Sequence, residues 1–238
     1  ILLSTLPKIA VFIILIKLLG LVFSNLVIFW SDILQILAVL SIIVGNITAI
    51  SQTNIKRMLA YSTIANIGFI LLPLSIGSTD SFVAATFYTV TYVITTILAF
   101  GLLSQLLSNN KSIEEIKDLT GLAKHNPLVA FMMLVIMLSY IGIPPFLGFH
   151  AKLYIIQSLV ESNNIMLSIF AVIMTVIGSY YYLRVIKVMY FDEMTNSITF
   201  SSNYVFSAIL VFGLIYLGLF PNSLGEISTL SIDNLFNA

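Results

Sequence analysis

Three titratable side chains lie in apolar surroundings that give them no ordinary reason to be charged. Lys152 and His150 sit in SYIGIPPFLGFHAKLY, Ser139 to Tyr154, and Lys8 sits in LPKIAVF, all inside long apolar runs. The chemistry open to such groups is reversible proton exchange. Ionisable residues at membrane depth are costly and mark functional sites by default. Low-dielectric surroundings disfavour an ammonium, and lysine, unlike arginine, is readily discharged. No Asp or Glu lies within the apolar runs, so neither lysine has an acidic partner there. Two lysines joined by hydroxyls and water would pass a proton in turn, each disfavouring charge on the other. The runs supply hydroxyls and amides at Asn46, Thr48, Ser62, Thr63, Asn66, Tyr88, Thr89, Tyr92, Thr95, Thr96, Ser139 and Tyr140. The candidate relay is therefore Lys152, Lys8, His150, Asn66, Tyr140 and, at its mouth, Lys56. Each has a blander reading. Membrane Ser and Thr also bond their own backbone or pack helices together. His150 is placed to relay protons or to satisfy a freed carbonyl, and Lys56 with Arg57 signals topology. Lys17, about 13 Å beyond Lys8 along a helix, reaches an interface by snorkelling.

The elements that must hold these residues follow from composition. The 238 residues are 59% hydrophobic and 8% charged, and the mean hydropathy is +1.08. A soluble domain carries about a quarter charged residues, so the fold class is an all-α polytopic membrane protein. Runs long enough to span, about 20 apolar residues, fall at Ile1–Phe23, Ile33–Ser51, Met58–Ile76, Phe82–Leu107, Pro127–Leu159, Ile165–Tyr190 and Tyr204–Phe220. That makes seven transmembrane helices. The fifth is too long for one crossing, and Gly142, Pro144, Pro145 and Gly148 break it into two half-helices. A broken helix survives in lipid only where protein or a wet cavity serves its freed backbone groups. Alternate numbering of the loops puts Lys56, Arg57, Lys111, Lys117, Lys124, Arg184 and Lys187 on one side. Asp32, Asp80, Glu161, Glu226 and Asp233 fall on the other, which carries no base. The basic side is expected to be cytoplasmic, or matrix-facing in a mitochondrion. Residues 112–117 read as a short amphipathic interfacial helix. Tyr180, Tyr181, Tyr182 and Arg184 read as an aromatic belt with a basic anchor, and Trp30 as its counterpart on the opposite face.

Zero formal charge gives no pointer to nucleic acid, and the absence of cysteine excludes disulfides and thiolate ligation. Two histidines are too few for a metal site, and neither a Gly-rich phosphate loop nor a Ser/His/Asp set is present. No redox or covalent catalytic site is expected. The chain opens at Ile1 within an apolar run with no charged n-region or small-residue cleavage site, so no signal peptide is expected there, and the chain is expected to be the carboxy-terminal part of something larger.

Four stretches carry a resemblance: LPKIAVF around Lys8, GNITAISQTNIKRMLAYSTIANIGF from Gly45 to Phe69, LSYIGIPPFLGFHAKLYII around Lys152, and YYYLR at Tyr180–Arg184. Together they resemble the antiporter-like, proton-translocating membrane subunits of respiratory complex I, most closely the subunit N branch, over essentially the whole chain. The resemblance implies two five-helix repeats of inverted topology in a fourteen-span subunit, with this chain as spans eight to fourteen. Residues 1–30 would hold the last helix of the first repeat, 31–191 the second repeat, and 192–238 a carboxy-terminal helix and outer tail. Lys8 matches the lysine connecting the two halves, and Lys152 that of the broken twelfth span. The resemblance also implies NADH, FMN, iron–sulfur clusters and quinone in partner subunits and none in this chain. Its partners would be neighbouring antiporter-like and small membrane subunits and the lipid bilayer. Its place would be a bacterial inner membrane or the mitochondrial inner membrane, with the carboxy terminus on the periplasmic or intermembrane side. Asn66 departs from the family, where many relatives have histidine, and so does His150, where many have an apolar residue. A multisubunit sodium/proton antiporter shares the core motifs and is the alternative, as is a structural scaffold of the same complex.

Overall fold

The computed structural model describes residues 2–108, 111–193, 198–200 and 205–237. The expected start of the last span at Tyr204 lies outside them. In hydrocarbon every backbone N–H and C=O must be paired within its own segment, so the apolar runs become helices. Helix α1, Leu2–Lys17, passes through a π turn at Leu18–Val22 and a 3-10 turn at Ser24–Leu26 into α2, Val27–Ser51. Helices α3, Ile55–Leu74, and α4, Thr79–Gln105, follow. The fifth expected span is split into α6, Pro127–Ile141, and α7, Leu147–Glu161, ahead of α8, Ile165–Tyr190. The short α5, Leu122–His125, leads into α6. Helix α9, Val205–Leu219, and helix α10, Asn222–Asn237, end the described chain.

Polar residues between the runs set the helix starts. Asn54 accepts the Arg57 N–H at 3.0 Å and caps α3. Ser78 and Ser81 form a reciprocal capping box at α4, and Asn126 with Pro127 opens α6. Replacing Asn54 by alanine is expected to lower stability by about 1 kcal/mol, the usual worth of such a cap. Thermal unfolding in detergent measures it.

Packing divides the helices into a centre and a rim. The spanning windows of α3 and α4 are 61% and 72% buried, against 11% for α2 and 28% for α8. The rim exposes Ile28, Phe29, Ile36, Leu40 and Ile47 from α2 and Met166, Ile169, Ile173 and Val176 from α8, surfaces suited to lipid tails. Helix α2 lies tightly on α3 because small residues meet there. A Cβ on Gly45 would sit 2.4 Å from the Ala65 nitrogen, and one on Gly68 would sit 2.6 Å from Ile42. Such close approach is how membrane helices gain dispersion contacts that lipid does not already supply.

Two sequence expectations are corrected. Residues 112–117 do not form a helix. A small sheet of order β2-β1-β3 is built from β1, Leu106–Ser108, β2, Lys111–Ser112, and β3, Ile198–Phe200. The chain then runs extended to a 3-10 turn at Ile116–Leu119. The backbone beyond β2 pairs with the start of α3: Ile55 N–H donates to Glu114 O and Ile116 N–H to Thr53 O, both at 2.9 Å. A helix this short is too weakly nucleated to compete with those bonds. Burial of Ile113 and Ile116 comes from this pairing, not from an amphipathic face. The second correction concerns Tyr181, Tyr182 and Arg184. Both tyrosines are buried, and Arg184 donates to the carbonyls of Ile50 and Gln52 at the end of α2. A guanidinium there serves orphan carbonyls at a helix C-terminus. Only Tyr180 of the three tyrosines is exposed.

The stretch expected as an outer tail contains α10, which turns 84° from α9. It buries Leu224, Ser228 and Ile232 and sets the Phe236 ring edge-on to Phe82 of α4 at 5.6 Å. Helix α10, the start of α4 and the end of α7 line a cavity of about 620 Å³ whose walls carry Asp80, Glu161, Glu226 and Asp233. The opposite helix ends carry Lys56, Arg57, Lys124, Arg184 and Lys187, together with acids of the 106–126 connection.

Candidate functional site

The site is the break itself. Helix α6 stops at Gly142, whose φ of +85° is readily reached only without a side chain. Stopping a helix orphans its last four carbonyls. The Gly142 N–H donates to Leu138 O and Ser139 O at 3.0 and 3.1 Å, and Ile143 N–H donates to Leu138 O at 3.2 Å. The remaining two, Tyr140 O and Ile141 O, each accept from Lys152 Nζ at 2.9 Å. Lys152 thus caps the broken helix from α7, with its stem laid on Gly142. The partial negative charge of a helix C-terminus suits an ammonium placed there. On the other side, Gly148 N–H donates to Ser139 Oγ at 3.2 Å and ties the start of α7 to α6.

Around this cap lies a layer of buried hydroxyls. Tyr140 OH donates to Thr96 Oγ1 at 3.1 Å, and Tyr92 OH to Thr63 Oγ1 at 2.6 Å. Tyr88 OH donates to Asn66 Oδ1 at 2.7 Å, while Asn66 Nδ2 donates to Ser62 O at 2.7 Å. On the rim, Tyr181 OH donates to Asn46 Oδ1 and Asn46 Nδ2 to Met174 O, both at 3.2 Å. The Tyr140 and Tyr182 rings stack with centroids 5.1 Å apart and planes within 4°. Lys152 Nζ lies 5.5 Å from the Phe69 ring centroid, and Lys8 Nζ lies 5.4 Å from that of Tyr92, both within cation–π range. Lys8 otherwise borders an apolar cavity of about 250 Å³ between α1 and the α3–α4 pair. Two small cavities meet at Lys152, each with about 10 Å³ open to the centre of a water-sized sphere. That is close to the least space that holds one water.

Of the residues singled out in the sequence, Lys152, Asn66 and Tyr140 share these cavities. Lys8 joins them through Tyr92, which lines one cavity and underlies the Lys8 ammonium. His150 is half-buried, its ring edge-on to Phe149 at 5.4 Å. Among the described residues it hydrogen-bonds to none. Two positions along a helix turn a side chain by about 200°, which sends His150 away from the Lys152 face. Lys56 is exposed at the first turn of α3, outside the site. Among the described residues neither Lys8 nor Lys152 has a carboxylate partner, and the ion pair present is Lys187 with Asp192 at 3.8 Å. Sequence reasoning missed Tyr181, Tyr182 and Thr91. For the tyrosines a signal existed: Gly178, Tyr181, Tyr182, Val185, Val188 and Met189 are buried at helical spacing on one face of α8.

The fold is a mostly helical, membrane-type bundle in which one helix stops short and an ionisable side chain meets its freed carbonyls. The chain belongs to the NADH:quinone oxidoreductase/Mrp antiporter transmembrane family, whose profile matches residues 1–178. It is 41% identical over 236 residues to NADH-quinone oxidoreductase subunit N of Methylovorus glucosotrophus (strain SIP3-4), covering 98% of this chain and 49% of that one. It is 48% identical over 195 residues to subunit N of Herminiimonas arsenicoxydans, covering 79% and 40%. The chain spans about half the length of the curated relatives it matches. Among solved structures it resembles a chain of respiratory complex I from Thermus thermophilus with bound aureothin, at TM-score 0.70 and 31% identity, covering 82% and 45%. It shares its fold with a chain of the Mrp complex from Dietzia sp. DQ12-45-1b, at TM-score 0.76 and 20% identity, covering 87% and 48%.

Proposed function

We propose that this chain translocates protons as the Lys8–Lys152 part of a subunit N of a proton-pumping NADH:quinone oxidoreductase. NADH oxidation and quinone reduction, with their flavin and iron–sulfur groups, belong to partner subunits. The observation that carries the reading is the double hydrogen bond of Lys152 Nζ to Tyr140 O and Ile141 O. An ammonium has three donors. Two hold the helix end and the third is free for the cavities. A neutral amine still has two N–H groups for the same carbonyls and turns a lone pair to the cavities instead. Lys152 can therefore gain and lose a proton without uncapping α6. The hydroxyls of Tyr140, Thr96, Tyr92 and Thr63, bridged by single waters, form the path toward Lys8. A charge on either lysine disfavours charge on the other, so the proton moves on as a neighbour is charged.

The same reading takes the chain as seven crossings, with α6 and α7 as one discontinuous span and residues 31–191 as a five-helix repeat. Residues 1–30 close the preceding repeat and 192–238 carry the last crossing and the outer helix. The end bearing Lys56, Arg57, Arg184 and Lys187 faces the cytoplasm or matrix. The carboxy terminus and the acid-walled cavity face the periplasm or intermembrane space.

Lys8→Met in the complete complex tests this. Lys8 makes no hydrogen bond among the described residues and lies against an apolar wall, so the bundle should tolerate the change. NADH-driven proton translocation into vesicles is expected to fall about a hundredfold, the low end of the loss typical of removing one positioned proton-transfer group. Unchanged translocation per electron would overturn the role. Sodium-dependent pH changes without NADH would point instead to a sodium/proton antiporter.

A further inference from the structure

Among the described residues, two buried hydroxyls that line the cavities at Lys152 have no hydrogen-bond partner, Thr91 Oγ1 and Tyr182 OH. Thr91 is 4% exposed and Tyr182 2% exposed. Hydroxyls this deep are almost always paired, and one left unpaired calls for a reason such as an ordered water. Each lines one of the two one-water cavities at Lys152. Thr91 shares the first with Tyr92, Tyr88 and Ser139, and Tyr182 shares the second with Asn46, Tyr181 and Gly178; Asn66 and Tyr140 line both. The two cavities lead different ways. The first reaches Tyr92 and so Lys8. The second opens along the seam between α2 and α8, where Tyr181, Asn46 and Met174 O are already hydrogen-bonded in series. One turn further along α8, Arg184 grips the end of α2.

We infer that Tyr182 and one water in the second cavity form a second arm of the relay, joining Lys152 to the Tyr181–Asn46 seam between α2 and α8. The Tyr182 hydroxyl lies near Ser62, Asn66 and Tyr181 but falls short of hydrogen-bond geometry with each of them. A small rotation of the hydroxyl, or a single water, closes the gap. Stacking on Tyr140 holds the ring while the hydroxyl hydrogen is free to turn. Lys152 then stands at a junction: one arm runs to Lys8 through the α3–α4 hydroxyls, the other toward the basic end of the bundle. Lys56, exposed at the start of α3, is not needed as a mouth. This inference rests on the proton-relay reading above.

The test uses the complete complex carrying Tyr182→Phe, which keeps the stacked ring and removes the hydroxyl, beside Tyr180→Phe on the exposed face and Lys152→Ala. Tyr182→Phe is expected to lower proton translocation per electron about tenfold, the worth of one lost hydrogen bond to the bridging water, with Tyr180→Phe like wild type. Wild-type translocation by Tyr182→Phe, where Lys152→Ala has lost it, overturns the second arm and leaves the relay standing. Equal, full translocation by Lys152→Ala overturns the relay itself. A high-resolution map of the unmodified complex is the independent measurement. An ordered water within hydrogen-bond reach of both Tyr182 OH and Lys152 Nζ is expected. Its absence overturns the second arm even if Tyr182→Phe fails to assemble.

Discussion

Replacing Lys152 by methionine is expected to abolish proton translocation by the complete complex while the subunit still assembles. Methionine keeps an unbranched stem of similar length, so contact with Gly142 and with the walls of the two cavities is largely retained. What disappears is the proposed proton carrier, whose amine donates to Tyr140 O and Ile141 O at once. Two carbonyls are left in apolar surroundings, each costing about 1–3 kcal/mol unless water reaches it. The adjoining cavities can admit water to them, which keeps the cost within what a bundle of this size withstands. The translocation loss has no such remedy, because water bridging from Tyr140 to Thr91 cannot store a charge. Proton translocation per electron in vesicles, with assembly followed by native electrophoresis, separates the two effects. Full translocation by an assembled Lys152→Met complex would sink the relay. Lys152→Arg sharpens the result: it can cap both carbonyls but does not release its proton, so it should assemble like wild type and still fail to translocate.

The break was legible in the sequence because its cause is local. Gly142 and Gly148 flank two prolines inside an apolar run, and a lysine follows one turn later; each of these is read without knowing any neighbour. That Lys152 caps α6 was not legible, since it depends on the α6 carbonyls and α7 side chain folding back on each other. His150 lies apart from the Lys152 cavities for a simpler reason. Its nearness to Lys152 is nearness in sequence, and helical rotation cancels it. Tyr181 and Tyr182 failed the other way: three tyrosines before an arginine at the end of an apolar run look interfacial. The rotation of α8, set by packing on α6 and α2, turns two of them inward. The 112–117 segment has helical hydrophobic spacing in isolation, but its backbone finds partners at Thr53 and Ile55 that only the tertiary fold supplies. Helix α10 hides for a related reason. Its apolar side chains alternate with acids and amides, so hydropathy alone does not mark it, while its contact with Phe82 does.

Gly148→Ala is expected to be the most damaging single methyl in the chain. A Cβ at Gly148 would lie 1.7 Å from Ser139 O and 2.7 Å from Ser139 C, whereas relaxed non-bonded carbon contacts are about 3.5–4.0 Å. The obstacle is backbone, so no rotamer change relieves it, and α7 must back away from α6. Ser139 O is also held by Gly142 N–H, and Ser139 Oγ by Gly148 N–H, so retreat breaks the tie that positions the break. Lys152 lies one helical turn further along α7, and its bonds to Tyr140 O and Ile141 O stretch with the same motion. Overpacking costs about 1–3 kcal/mol and sometimes more, and each lost hydrogen bond adds about 1 kcal/mol. A destabilisation of about 4 kcal/mol is therefore expected, read as a lowered unfolding temperature in detergent and as translocation lost together with it. Gly101→Ala is the control. That glycine lies within α4 with nothing inside 4 Å of an added Cβ, so alanine there should stabilise by up to about 1 kcal/mol through helix propensity. If both variants shift the unfolding temperature alike, the close approach of α7 to Ser139 is not what holds Lys152 in place.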